Sequence, residues 1–226
     1  AYFAASRATA RVDAVLGGSA GKVSMDGFTL GAYWTHVSET GSYIDAVAQV
    51  TRYDAVRARS LEGEAIAPDG WGATASLETG YSFQLNENWN IEPQAQLIYQ
   101  IVSLENARDR YGNVRYADSH AWHGRLGARL VKNWEGADGQ EYAFWGRANI
   151  WHDFGAHAQT TFSSLSGQNA VDLRTSLGST RAQLGLGFNA QVREELSTFI
   201  AVDYAQSLRD SRSRSVSGHI GLQYVW

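Results

Sequence analysis

The chain contains no cysteine. That absence excludes disulfide scaffolds, thiolate metal sites and cysteine nucleophiles, and it is compatible with an oxidising compartment. Lysine is nearly absent as well: 17 of the 19 basic residues are arginine, scattered along the chain, and the net charge is −4. There is therefore no basic tract for nucleic acid or for an anionic membrane surface. Proline occurs only twice, and charged residues make up 19% of the chain, below the ~25% of an ordinary soluble domain. No run approaches the ~18 apolar residues of a membrane helix, and no signal-peptide pattern opens the sequence. A helical membrane protein is excluded. A β membrane protein is not, because alternating strands vanish in hydropathy averages.

What is present is glycine, 23 residues, and aromatics, with 8 Trp, 11 Tyr and 8 Phe among 226 residues. Period two organises them. From Thr180 to Ala190, the residues Ala182, Leu184, Leu186, Phe188 and Ala190 alternate with Arg181, Gln183, Gly185, Gly187 and Asn189. From Val216 onward, Ile220, Leu222, Tyr224 and Trp226 alternate with Ser217, His219, Gly221 and Gln223. Ile91 to Ile101 and Ala73 to Phe83 behave alike. Successive side chains on a strand point to opposite faces, so each segment predicts a two-faced strand. Weaker alternation over 2–12, 27–36, 43–53, 120–131, 142–152 and 197–206 brings the count to about ten strands of roughly 10–13 residues. A tilted strand needs ~9–11 residues to cross a bilayer, whereas soluble strands average ~5–6.

The connections alternate in length. Short ones fall near Glu39-Thr40-Gly41, Asn86-Glu87-Asn88, Gly136 to Gly139 and Arg193-Glu194-Glu195; long ones span about 14–26, 54–71, 103–118, 153–179 and 207–215. Short turns on one side and long loops on the other are the habit of an up-and-down outer-membrane barrel, with the short turns in the periplasm. The expected fold is thus all-β, a transmembrane antiparallel β-barrel. Its charged face carries Arg7, Arg11, Glu78, Glu92, Arg125, Arg129, Arg147, Arg181 and Asp203, with Gln183 between them. A charge in hydrocarbon near the midplane costs a few kcal/mol, so these ten residues are expected to line the lumen. The apolar face is to meet lipid, with Tyr81, Phe83, Tyr99, Trp122, Tyr142, Phe144, Tyr204, Tyr224 and Trp226 as interfacial girdles. Gly185, Gly187 and Gly221 on the polar face are expected to lower the wall for a passing backbone. His219, Gly221, Tyr224 and Trp226 form a polar-glycine-aromatic pattern resembling the assembly signal of outer-membrane barrels, in which a strand adds to a sheet edge of the assembly machinery.

Particular segments also resemble a known family. Asp26-Gly27-Phe28-Thr29-Leu30-Gly31-Ala32-Tyr33 followed by Gly41-Ser42-Tyr43-Ile44-Asp45 is one such hairpin. Ser76-Leu77-Glu78-Thr79-Gly80-Tyr81-Ser82-Phe83 followed by Trp89-Asn90-Ile91-Glu92-Pro93-Gln94-Ala95 is the most specific. Gly124-Arg125-Leu126-Gly127 and Arg181-Ala182-Gln183-Leu184-Gly185-Leu186-Gly187 extend the likeness over essentially the whole chain. Together they resemble the translocator β-domain of type V autotransporters of the pertactin and serum-resistance kind. The resemblance implies a twelve-stranded barrel with a linker helix in its lumen, integral to the bacterial outer membrane. It implies as partners the lipid, the barrel-assembly machinery, and the domain's own passenger and linker helix. It implies no enzyme activity and no cofactor. Residues 1–226 then form one domain whose first strand aligns with the family's third, so that two strands and the linker helix lie outside this numbering.

Two other classes are open on the residues. Asp118-Ser119-His120, His152-Asp153 and His157 at the ends of long loops resemble the rim of the omptins, outer-membrane proteases, where an Asp–His pair polarises water. A passive porin or adhesin barrel is the other. The six histidines are not spaced as a metal-ligand set.

Overall fold

The computed structural model describes residues 1–13, 18–60, 63–137, 139–176, 178–193, 195–209 and 213–224, with Ala55 as backbone only. The first strands are β1 (Tyr2–Asp13), β2 (Ser19–Val37), β3 (Ser42–Ser60), β4 (Ala65–Ile66), β5 (Gly70–Tyr81) and β6 (Phe83–Gln84). Next come β7 (Trp89–Leu104), β8 (Ala107–Arg108), β9 (Gly112–Tyr116), β10 (Ser119–Glu135) and β11 (Glu141–Phe154). The last are β12 (His157–Ser164), β13 (Val171–Ser176), β14 (Thr180–Arg193), β15 (Leu196–Ser207) and β16 (Arg214–Tyr224).

Ten long strands pair in sequence order, β1-β2-β3-β5-β7-β10-β11-β14-β15-β16, every one antiparallel to the next. They coincide with the ten alternating segments. The turns joining them at one end are tight. Gly41 N donates to Ser38 O at 3.0 Å with φ of 92° at Gly41, a left-handed conformation open to glycine and strained for most side chains. The sheet curls: residues of β2, β3, β5, β7, β10, β11 and β14 line one cavity of about 650 Å³. Among the described residues β1 and β16 do not pair with each other, so the wall is an open, curled one.

The convex face is apolar. Leu77, Leu97, Leu126, Leu184, Leu186 and Ile220 all project outward and exposed, Ile220 with 80% of its surface free. A contiguous apolar surface of this extent marks contact with a nonaqueous phase or a partner. Aromatics gather at both of its margins. Tyr81 lies 4.4 Å from Phe83, and Trp134 5.7 Å from Tyr142, beside the tight turns; Tyr99 lies 4.7 Å from Trp122 nearer the other end.

Four segments expected as loops carry strands. Residues 19–26 and 54–60 continue β2 and β3 well past the aromatic level, forming with β1 a three-stranded ribbon. Residues 107–116 and 157–176 build a separate four-stranded sheet, ordered β13-β12-β9-β8, a cap that faces the ribbon across a shared groove. Val114 is its buried centre, and burial pushes the Tyr116 phenol upward in pKa. A guanidinium–carboxylate contact of 3.0 Å from Arg110 to Glu64 ties the cap to the β3–β5 connection.

The wall glycines have a different purpose from the one expected of them. Gly187 lies directly across from Trp145, and Gly221 across from Phe199. A Cβ at Gly187 would overlap the Trp145 indole, and one at Gly221 the Phe199 ring. The aromatic ring fills the notch, so the wall is not lowered there. Trp145 packs on Val131 and Ala201 in the small apolar cluster of the inner wall. Gly187→Ala is therefore expected to destabilise the barrel by about 1–3 kcal/mol, the range for overpacking a filled site. Urea unfolding followed by tryptophan fluorescence measures it; an unchanged midpoint contradicts the packing.

Candidate functional site: the polar concave wall

Antiparallel register places directly opposed residues on one face, and the charged residues of the long strands converge on the concave side. Arg125 of β10 is 5% exposed. Its Nη2 meets Glu78 Oε2 at 2.7 Å, its Nε donates to Gln96 Oε1 at 3.0 Å, and its Nη1 to Gln94 Oε1 at 3.2 Å and Asn149 Oδ1 at 3.3 Å. Tyr43 OH donates to the other Glu78 oxygen at 2.9 Å. Gln183 extends the network. It accepts from Asn149 Nδ2 at 3.1 Å and Trp151 Nε1 at 2.7 Å, and donates to Asp203 Oδ1 at 3.0 Å. Asp203 is in turn gripped by Arg147 through Nε at 2.9 Å and Nη2 at 2.7 Å. Arg129 and Glu92 form a further pair at 2.6–2.7 Å.

The result is a continuous polar lattice across β3, β5, β7, β10, β11, β14 and β15. Arg125, Glu78 and Asp203 each have an opposite charge and further hydrogen bonds, the condition under which ion pairs survive desolvation. Arg125 and Arg181 also flank the Trp151 ring at 5.6 and 5.4 Å. Asp45 is the exception. Its Oδ1 is buried with no hydrogen-bond partner among the described residues, and it lines the same cavity.

Eight of the ten residues expected in the lumen therefore share this face: Glu78, Glu92, Arg125, Arg129, Arg147, Arg181, Gln183 and Asp203. Arg7 and Arg11 do not. In β1, Tyr2 points inward to Gln49, so the odd-numbered residues point outward. Phe3 stacks on Phe28, and Arg7 forks onto Asp26 at 2.6 and 3.3 Å with its side chain 78% exposed. Arg11 lies on that same outer face. Tyr43, Asp45, Gln94, Gln96, Asn149 and Trp151 join the wall without having been singled out; their parity with Glu78, Glu92 and Arg147 was the available signal.

Of the expected rim pair, His152 and Asp153 point to opposite faces, and Asp153 meets a histidine outside the expected set. His152 faces outward, its ring 4.5 Å from Phe154 and its Nδ1 hydrogen-bonded to Thr180 Oγ1 at 2.8 Å. Asp153, its chain neighbour, points inward to His123 Nδ1 at 2.6 Å and accepts from Ser179 Oγ at 2.8 Å. Ser119 Oγ donates to the His157 carbonyl at 3.0 Å. In the assembly-signal pattern, His219 and Gly221 face inward and Tyr224 outward on β16; Trp226 lies outside the described residues.

An antiparallel meander with a greasy convex face, aromatic margins and an ionic concave face is the wall of an outer-membrane β-barrel. The comparisons identify which. The family model of the autotransporter beta-domain matches residues 1–203, and the chain belongs to that family, whose members are integral outer-membrane translocator domains linked to a passenger. The pertactin autotransporter of Bordetella bronchiseptica is 30% identical over 228 residues, covering 93% of this chain and 24% of that protein. The adhesin BmaC autotransporter of Brucella suis biovar 1 is 27% identical over 218 residues, covering 91% of this chain and 6% of that protein. The chain thus spans a quarter or less of these relatives. The crystal structure of the beta domain of the Bordetella autotransporter BrkA superposes with a TM-score of 0.71 at 24% identity, covering 92% of this chain and 76% of that one.

Proposed function

We propose that this domain anchors a passenger in the outer membrane and holds the linker of that passenger against the polar concave wall during and after export. The observation that carries the reading is the cavity of about 650 Å³, bounded by three carboxylates (Asp45, Glu78, Glu92) and three guanidiniums (Arg125, Arg129, Arg147). A balanced lining wets a polar segment without trapping it electrostatically, and the lone Asp45 oxygen offers an acceptor to a linker donor. At the far mouth, Val12, Val23 and Ala58 of the ribbon face Tyr111, Val114 and Phe162 of the cap across an apolar groove of about 790 Å³, a surface on which emerging chain can rest.

Lipid contacts the convex face in this reading, and the assembly machinery takes hold of β16, whose Ile220, Leu222 and Tyr224 stand free. The domain's contribution in this reading is passage and anchorage rather than catalysis. The resemblance further supports two strands and a linker helix completing the lumen.

The test is a full-length protein in which Thr35 and Ser82, both lining the cavity, are replaced by tryptophan. The barrel is expected to remain heat-modifiable while the protease-accessible passenger at the cell surface falls at least several-fold. Parental surface levels of passenger with a folded, narrowed barrel would falsify the lumen route.

A further inference from the structure

Above the aromatic level, the ribbon of β1, β2 and β3 has two unlike faces. The inner one supplies Val12, Val23 and Ala58 to the groove beneath the cap, which Lys22 and Arg59 also line. On the outer one, Arg11 lies directly opposite Lys22, and Lys22 directly opposite Arg59. Three cations on three adjacent strands therefore stand in one row, all exposed, with neighbouring Cβ atoms about 5 Å apart. Like charges so placed repel each other and destabilise the sheet. Among the described residues none of the three has a carboxylate within ion-pair distance. Of the acidic groups in the vicinity, Asp26 pairs with Arg7, Asp54 and Asp69 with Arg52, and Glu64 with Arg110, while Asp13, two positions beyond Arg11 on β1, stands exposed and leaves the row with a net positive charge. Arg57, one step below the row, lies near enough to help lower the Asp26 pKa, after the larger effect of the Arg7 hydrogen bond.

The same face lower down is apolar and aromatic. Phe3, Phe28, Leu30, Val50 and Trp71 surround a crevice of about 400 Å³ with Arg52 at its border. From Phe28 to Lys22 is six residues along β2, about 20 Å at a strand's rise, or roughly 15 Å of height at a barrel strand's tilt. The cation row thus stands over the lipid-facing side at the height of headgroup sugars, outside the hydrocarbon.

We propose that this row binds phosphate groups on the headgroups of the outer-leaflet lipid, fixing the ribbon upright against the membrane surface. Charge complementarity selects the partner: three cations without an ion pair among the described residues, continuous below with a surface made for acyl chains, match an amphiphile whose polar end carries phosphates. Guanidiniums fork onto phosphate oxygens, and a phosphate between two cations removes their repulsion. The chain contains no polybasic tract because register, rather than sequence adjacency, collects residues 11, 22 and 59. The proposal rests on the outer-membrane placement with the long connections outside.

The experiment uses the full-length protein, in detergent, with phosphorylated lipopolysaccharide and its phosphate-stripped form as probes. Binding is read by native mass spectrometry, and heat-modifiability on gels reports barrel folding separately. The parent is expected to retain the phosphorylated glycolipid, and the triple variant R11Q/K22Q/R59Q to bind it on the order of a hundredfold more weakly, at about fivefold per juxtamembrane cation. The difference should vanish with the stripped form and shrink as salt rises. Because the substitutions remove repulsion, the variant is expected to fold; if it does not, the salt dependence of parental binding decides. Equal binding by parent and folded variant, indifference of the parent to phosphate removal or to salt, or full displacement by millimolar inorganic phosphate would each overturn the proposal. Loss of heat-modifiability in the parent overturns the membrane placement instead.

Discussion

Replacing Asp203 with leucine is expected to destabilise the barrel by about 3–5 kcal/mol, the loss typical of breaking one half of a buried ion pair. Asp203 is 3% exposed and takes both Arg147 nitrogens along with the Gln183 amide. Removing it leaves the Arg147 guanidinium without the one carboxylate that pairs with it among the described residues. The deficit belongs to the orphaned cation rather than to the attraction that is lost. Arg147→Met combined with Asp203→Leu is therefore expected to recover most of it, since an apolar pair of similar volume avoids the desolvation entirely. Denaturant unfolding in detergent of the two single variants and the double gives the coupling. If the double variant is as unstable as Asp203→Leu, the pair is not the cause.

Leu184→Arg is expected to cost about 2–4 kcal/mol, the penalty for a cation on the lipid face near the bilayer midplane. Leu184 is 61% exposed and sits four residues from Phe188, which joins the aromatic cluster of Trp134 and Tyr142. Ser217→Arg is the matched control. Its position is directly across from Asp203 on the concave face, where an added cation meets a carboxylate and water, and little loss is expected. The measurement is refolding into lipid vesicles at graded urea. Equal penalties at the two sites would show that the two faces do not see different solvents.

The physics that makes these contrasts sharp also explains how much could be read from residues alone. Long strands with one wholly apolar face, such as β14, declare both their presence and their orientation, and eight wall residues followed from parity. β1 defeats the method. Its run Ala4-Ala5-Ser6-Arg7-Ala8-Thr9-Ala10-Arg11 offers small residues on both faces, so only the pairing of Tyr2 with Gly31 and of Arg7 with Asp26 shows that the arginines point outward. Half of the cap was equally silent, because β9 has five residues and β8 two, too short for a period to establish itself. The glycine notches are a property of neighbouring strands rather than of one. Gly187 and Trp145 are 42 positions apart and meet only through register. For the same reason His152 and Asp153, adjacent in sequence, were grouped together although a strand must send them to opposite sides.

The cap has its own hydrogen-bond ladder, separate from that of the ten-stranded wall. Its hairpin tip turns at Gly167 and Asn169, both with positive φ. Whatever evolution writes into that hairpin alters the face shown to the outside world, and the bilayer-embedded staves keep their alignment. Surface novelty and membrane residence are thereby inherited as independent traits of one polypeptide.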